Sequence, residues 1–157
     1  MQLSREDIAA RIPHTGNMCL LDGVREWSAE HIVCTASSHR DAANPLRAAG
    51  RLGALCGIEY AAQAMAMHGG LGMAAAPDGS AQRPKAGFLA SVRGVSTHVS
   101  RLDDVAGSLR IEARRLSGSD NLVMYEFAVH SDSAVLIEGR AAVVLDASAA
   151  LPHEAKQ

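Results

Sequence analysis

One stretch limits the fold of this chain more than any other. From Leu52 to Met73 it reads LGALCGIEYAAQAMAMHGGLGM, with a single acid, Glu59, and no Lys or Arg, in a protein in which 20% of residues are charged. Alanine and methionine are strong helix formers and the run is long enough for several turns, so it predicts one long apolar helix despite its glycines. Gly53, Ala54, Gly57, Ala61 and Ala62 suit a helix gripped closely by other backbone, such as a sheet wrapped around it. Glu59 and Gln63 are four apart and share a face, with Cys56, Ala66 and Met67 about one turn away. An ionised carboxylate in that company loses hydration, which favours its protonated form and makes Glu59 a candidate proton donor. His68, beside Gly69 and Gly70, is expected near the helix C-terminus, where a cation suits the dipole. Tyr60, Met65 and Met67 read as packing residues.

What surrounds the helix narrows the class. The 157 residues suffice for one domain, 1–157, with a real core. A formal charge of −2 and a pI near 6.4 give no basic footprint, so nucleic acid is not an expected partner. Cys19, Cys34 and Cys56 are widely spaced among apolar residues, which suggests reduced thiols in a cytoplasmic protein rather than a disulfide or zinc framework. The opening MQLSREDIAARIP lacks the apolar centre of a secretory signal. Glu59, Tyr60, Gln63 and His68 inside the long helix argue for burial in protein rather than a membrane span. No HExxH, CxxC or phosphate-binding glycine loop occurs, so no metal or other cofactor is expected.

In chain order, Ser4 ahead of Arg5, Glu6 and Asp7 predicts a capped short helix to about Arg11, stopped by Pro13. A turn at PHTGN leads to a strand from Met18 to about Glu26, and a second from His31 to Ser37 pairs with it around Ser28-Ala29-Glu30. Residues 38–51 read as a loop into the long helix and residues 75–86 as a surface connection. Strands are expected over 87–99, 108–116, 122–131 and 134–145, and a loose tail over 147–157. Leu109, Ile111 and Ala113 alternate with Arg110, Glu112 and Arg114, the mark of a sheet with one wet face. The layout is an α+β domain in which one long central helix lies against an antiparallel β-sheet.

Two motifs then resemble a known family. Glu59-Tyr60-Ala61-Ala62-Gln63 is similar to the Glu-x-x-Ala-Gln element of 3-hydroxyacyl-(acyl carrier protein) dehydratases with the hot-dog fold, and Ile12-Pro13-His14-Thr15-Gly16-Asn17-Met18-Cys19-Leu20-Leu21-Asp22 to their Leu-Pro-His-x-x-Pro-Met-x-Leu-Leu-Asp opening. With Gly87-Phe88-Leu89-Ala90-Ser91-Val92 after the helix, the pattern over about residues 8–146 most resembles the dehydratases of aryl polyene synthesis. The Gly-His-Phe-Pro element that fatty-acid dehydratases carry before the helix has no counterpart, and the nearest histidine there is His39.

The resemblance implies dehydration of an acyl carrier protein-bound 3-hydroxyacyl thioester. Removing a proton from C2 and hydroxide from C3 needs a base and an acid. Glu59 is the expected acid and His14 the expected base, with His39 the alternative; Gln63 is expected to orient Glu59 or a water. Backbone N–H groups of Ala54, Leu55 and Cys56, at the helix N-terminus, are expected to hold the thioester oxygen. An exposed sheet edge implies at least a homodimer, or a heteromer with a related dehydratase. A thioesterase on the same fold, or a non-catalytic partner subunit, are the competing readings.

Overall fold

The computed structural model describes residues 2–12, 16–74, 88–119 and 121–144. His14, in the PHTGN turn, and the expected C-terminal tail lie outside the described residues.

Helix α1 (Arg5–Ala9) begins as its sequence demands: the Asp7 N–H donates to Ser4 Oγ and the Ser4 N–H to Asp7 Oδ2, a reciprocal capping box. It seats Ile8, fully buried, in the core. Strands β1 (Gly23–Trp27) and β2 (His31–Ala36) form the expected hairpin. Strands β3 (Phe88–Thr97), β4 (Leu109–Gly118), β5 (Leu122–His130) and β6 (Val135–Val144) complete a six-stranded antiparallel sheet in the order β1-β2-β4-β5-β6-β3.

The first strand is shorter than its sequence suggests. Residues 16–18 form a single 3-10 turn, and pairing with β2 in strand form starts only at Gly23. The reason is specific: the Met18 carbonyl and Leu20 N–H bond to the side chain of Gln63 instead of to a neighbouring strand.

Alternation in β4 works as expected. Leu109, Ile111 and Ala113 are fully buried, while Arg110 and Arg114 face outward. Tyr125, Phe127 and Val129 of β5 join the same inner face. The long helix α2 (Gly57–Ala74), preceded by a 3-10 turn over Ala54–Cys56, lies across β2, β4 and β5. Its approach is close: a Cβ built on Gly57 would stand 2.6 Å from Ile137 Cγ2 of β6, so only glycine fits that step without displacement. The 98–108 connection crosses the helix entry, where the Ala54 N–H donates to Ser100 O, the Leu102 N–H to Leu52 O and the Leu52 N–H to Asp103 Oδ1. No helix among the described residues is long and apolar enough to cross a membrane.

Gly69 and Gly70 do not break the helix, which corrects the expectation for His68. The tertiary hydrogen bonds of the adjacent His68 offset their low helix propensity. His68 is buried, its Nε2 2.9 Å from Ser28 O and its Nδ1 2.8 Å from Tyr125 Oη. A carbonyl only accepts, so Nε2 carries the proton and Nδ1 accepts from the tyrosine. Burial holds the imidazole below its ordinary value of 6.5, so it is a neutral tie between α2, β5 and the β1–β2 turn rather than a cation at a helix end.

Candidate active site

Glu59 lies in the first turn of α2, half-buried, at the positive end of the helix dipole. Gln63, one turn on and fully buried, donates from Nε2 to Glu59 Oε1 at 3.3 Å and to Met18 O at 2.6 Å, and its Oε1 accepts from the Leu20 N–H at 2.9 Å. Both ends of the amide are used, which fixes its orientation. The helical spacing read from the sequence therefore brings Glu59 and Gln63 together, and adds the segment immediately after the PHTGN turn.

His39 is placed otherwise. It sits in a 3-10 turn over Ser38–Arg40, fully buried, with Nε2 3.0 Å from Val105 O. Because the carbonyl accepts, Nε2 carries the proton; burial pushes the imidazole below 6.5, and Nδ1 has no hydrogen-bond partner among the described residues. Arg47 Nη2 donates to His39 O at 3.2 Å. The first contact binds the 38–47 loop to the 102–107 connection, and the second closes the loop on itself.

Of the three N–H groups expected to form an oxyanion site, two are already committed. Ala54 donates to Ser100 O at 3.2 Å and Cys56 to Gly53 O at 3.0 Å, because the chain enters α2 through a 3-10 turn stitched to the neighbouring connection. Leu55 lies between them with its side chain exposed, and no described group takes its N–H.

A polar cluster that the sequence reading took for packing adjoins this site. Tyr60, fully buried, has its hydroxyl 2.7 Å from Ser38 Oγ and accepts from Asn44 Nδ2 at 3.1 Å. Ser38 Oγ donates to Leu20 O at 2.7 Å. Tyr60 read as packing because it sits in an apolar helix; its polar partners come from a loop with no periodicity to read. Burial pushes the phenol above its ordinary value, which keeps its proton in place.

Among the described residues no group of three His, Cys, Asp or Glu is arranged to hold a metal. A concavity of about 620 Å³ is lined by Glu112, Arg114, Glu126, Glu138 and Arg140. These alternate with the core residues of β4–β6, so the concavity lies on the sheet face away from α2 and Glu59.

A long helix laid across a six-stranded antiparallel sheet defines a hot-dog domain. The chain belongs to the ApeP-like family, described as ApeP dehydratase, whose profile matches residues 6–152. No curated protein sequence matches it. Among solved structures it is similar to the dehydratase heterocomplex ApeI:P from Xenorhabdus doucetiae, with a TM-score of 0.77 at 23% identity, covering 88% of this chain and 90% of that one. Zebra fish thioesterase superfamily member 2 shares the fold at a TM-score of 0.59 and 12% identity, covering 90% of this chain and 95% of that one. A mutant of thioesterase PA1618 from Pseudomonas aeruginosa does so at 0.54 and 12%, covering 79% of each.

Proposed function

We propose that this dehydratase converts a 3-hydroxyacyl thioester, carried on an acyl carrier protein, to the trans-2-enoyl thioester, in aryl polyene or related acyl-chain synthesis in the cytoplasm. Glu59, as the carboxylic acid, gives its proton to the C3 hydroxyl, which leaves as water. The imidazole of His14 takes the C2 proton, and the electron pair released forms the C2–C3 double bond. The N–H of Leu55, at the helix entry, stabilises the charge that gathers on the thioester oxygen. No cofactor takes part.

The observation that carries this reading is the double grip of Gln63. The same amide contacts Glu59 and pins Met18 and Leu20. His14 precedes Met18 by four residues in the sequence, in the same opening motif as the segment that Gln63 holds. His39 is the weaker candidate for the base, since its ring, with the unprotonated Nδ1, is fully buried.

Strand β3 is a ten-residue sheet edge that, among the described residues, pairs only with β6. An open edge of that length favours assembly with a second chain, either another copy or a related dehydratase subunit. The name of the ApeI:P complex supports the second form.

The test is product analysis after incubating purified protein, alone and with a related dehydratase subunit, with a 3-hydroxyacyl carrier protein. An enoyl thioester supports the proposal. A free acid means a thioesterase, and product formed equally well by the partner alone means a non-catalytic subunit.

A further inference from the structure

The geometry points to Tyr60 as a positioning residue for this site: its hydroxyl, joined to Asn44, Ser38 and Leu20, fixes the segment that follows His14 against α2. The inference rests on the dehydration reading for its consequence, but not for its geometry.

The hydrogen-bond directions follow from chemistry. Asn44 Nδ2 can only donate, and it donates to Tyr60 Oη at 3.1 Å. Leu20 O can only accept, and it takes the Ser38 hydroxyl proton at 2.7 Å. Ser38 Oγ must then accept at its 2.7 Å contact with Tyr60, so the tyrosine donates there. Each hydroxyl gives one hydrogen bond and receives one, the arrangement in which neighbouring bonds strengthen one another. Asn44 is held in turn, since its Nδ2 also donates to Ser38 O at 2.9 Å and its Oδ1 accepts from the Leu46 N–H at 2.9 Å.

The chain of bonds ends on the peptide that Gln63 already holds. Gln63 takes Met18 O and the Leu20 N–H, and the Tyr60–Ser38 pair takes Leu20 O. Three backbone groups in three residues are thus fixed by side chains from α2 and the 38–47 loop rather than by a sheet. A tyrosine serving only as bulk in that pocket would gain nothing from its hydroxyl, because phenylalanine fills nearly the same space without a polar group to desolvate. Met18 and Leu20 hang on the same Gln63 amide that contacts Glu59, so loosening them loosens the hold on the carboxylate, and a misplacement of about 1 Å is enough to slow a reaction by roughly a hundredfold.

The test uses full-length Tyr60→Phe and Ser38→Ala, with the partner subunit present if dehydration requires it. Hydrogen exchange is measured first, because it needs no activity. Amides of residues 18–22 should exchange faster in both variants while those of β5 and β6 stay unchanged. In kinetics, kcat should fall by roughly ten- to a hundredfold with KM within about twofold. Adding Tyr60→Phe to Glu59→Gln should cost less than about twofold more, because positioning the acid matters only while the acid exists. Unchanged exchange at 18–22, or equal losses with and without the Glu59 carboxyl, overturns the inference. Absence of enoyl product from the unmodified protein overturns the dehydration reading instead, and the exchange result still decides the positioning.

Discussion

Gln63 Nε2 donates to the Met18 carbonyl at 2.6 Å while its Oε1 accepts from the Leu20 N–H at 2.9 Å. One buried amide therefore stands in for a strand neighbour and, through its 3.3 Å contact with Glu59, ties the N-terminal segment to the carboxylate. Gln63→Ala takes the partner from the buried Leu20 N–H and from the part-buried Met18 carbonyl. A buried group left unsatisfied costs about 1–3 kcal/mol and a part-buried one less, so a fall in unfolding free energy of about 2–4 kcal/mol is expected in urea titration. A loss below about 0.5 kcal/mol contradicts the account, since surface substitutions reach that much.

Glu59→Gln keeps the shape and the hydrogen-bonding capacity of the side chain while removing the transferable proton. It should lower kcat by about a hundred- to ten-thousandfold and leave the melting temperature nearly unchanged. Undiminished turnover in that variant removes Glu59 from the chemistry.

Gly57→Ala sets two effects against each other. Alanine gains about 1 kcal/mol of helix propensity, but its Cβ meets Ile137 Cγ2 at 2.6 Å, and overpacking costs about 1–3 kcal/mol. The clash should win, giving a net destabilisation by thermal melting. In an Ile137→Ala background, which removes the obstructing methyl, the same substitution should become neutral or stabilising; an undiminished penalty there contradicts the packing argument.

The buried histidines give the fold an acid sensitivity. His68 and His39 both titrate below 6.5 in the native protein because burial disfavours the cation. The unfolded chain binds their protons near 6.5 and the folded chain does not, so the stability they contribute is complete above that pH and declines as pH falls through it. One such group gives a slope of up to about 1.4 kcal/mol per pH unit. Urea midpoints at about pH 7.5 and about pH 5.5 should differ less in His68→Gln than in the natural sequence. Identical pH dependence in the two proteins removes His68 from the effect.

The parts of this fold set by periodicity were legible in the sequence. Alternation at Leu109, Ile111 and Ala113 gave β4 its buried face, and the charge-free run around Glu59 gave α2. Ser4 and Asp7 announced the cap of α1. Long-range choices were not legible. Nothing local says that Met18 and Leu20 bond to a side chain instead of a strand, which is why β1 begins later than its hydrophobicity suggests. Nor does Tyr60 announce its hydroxyl partners, which lie 16 and 22 residues away in a polar loop. His68 was read as a helix end because glycine weakens helices, yet contacts to Tyr125 and Ser28 carry the helix past it. The candidate oxyanion donors were read from a helix N-terminus in general, whereas here the crossing connection takes the Ala54 N–H.

The most direct test of the central claim follows the acyl group itself. A purified 3-hydroxyacyl carrier protein is incubated with the natural protein, Glu59→Gln and His14→Ala, each supplied with the partner subunit if one is needed, and the acyl chain is weighed by mass spectrometry. The account predicts loss of one water from the acyl group with the natural protein and almost none with either variant. Full dehydration by both variants, or release of the free hydroxy acid by the natural protein, contradicts it.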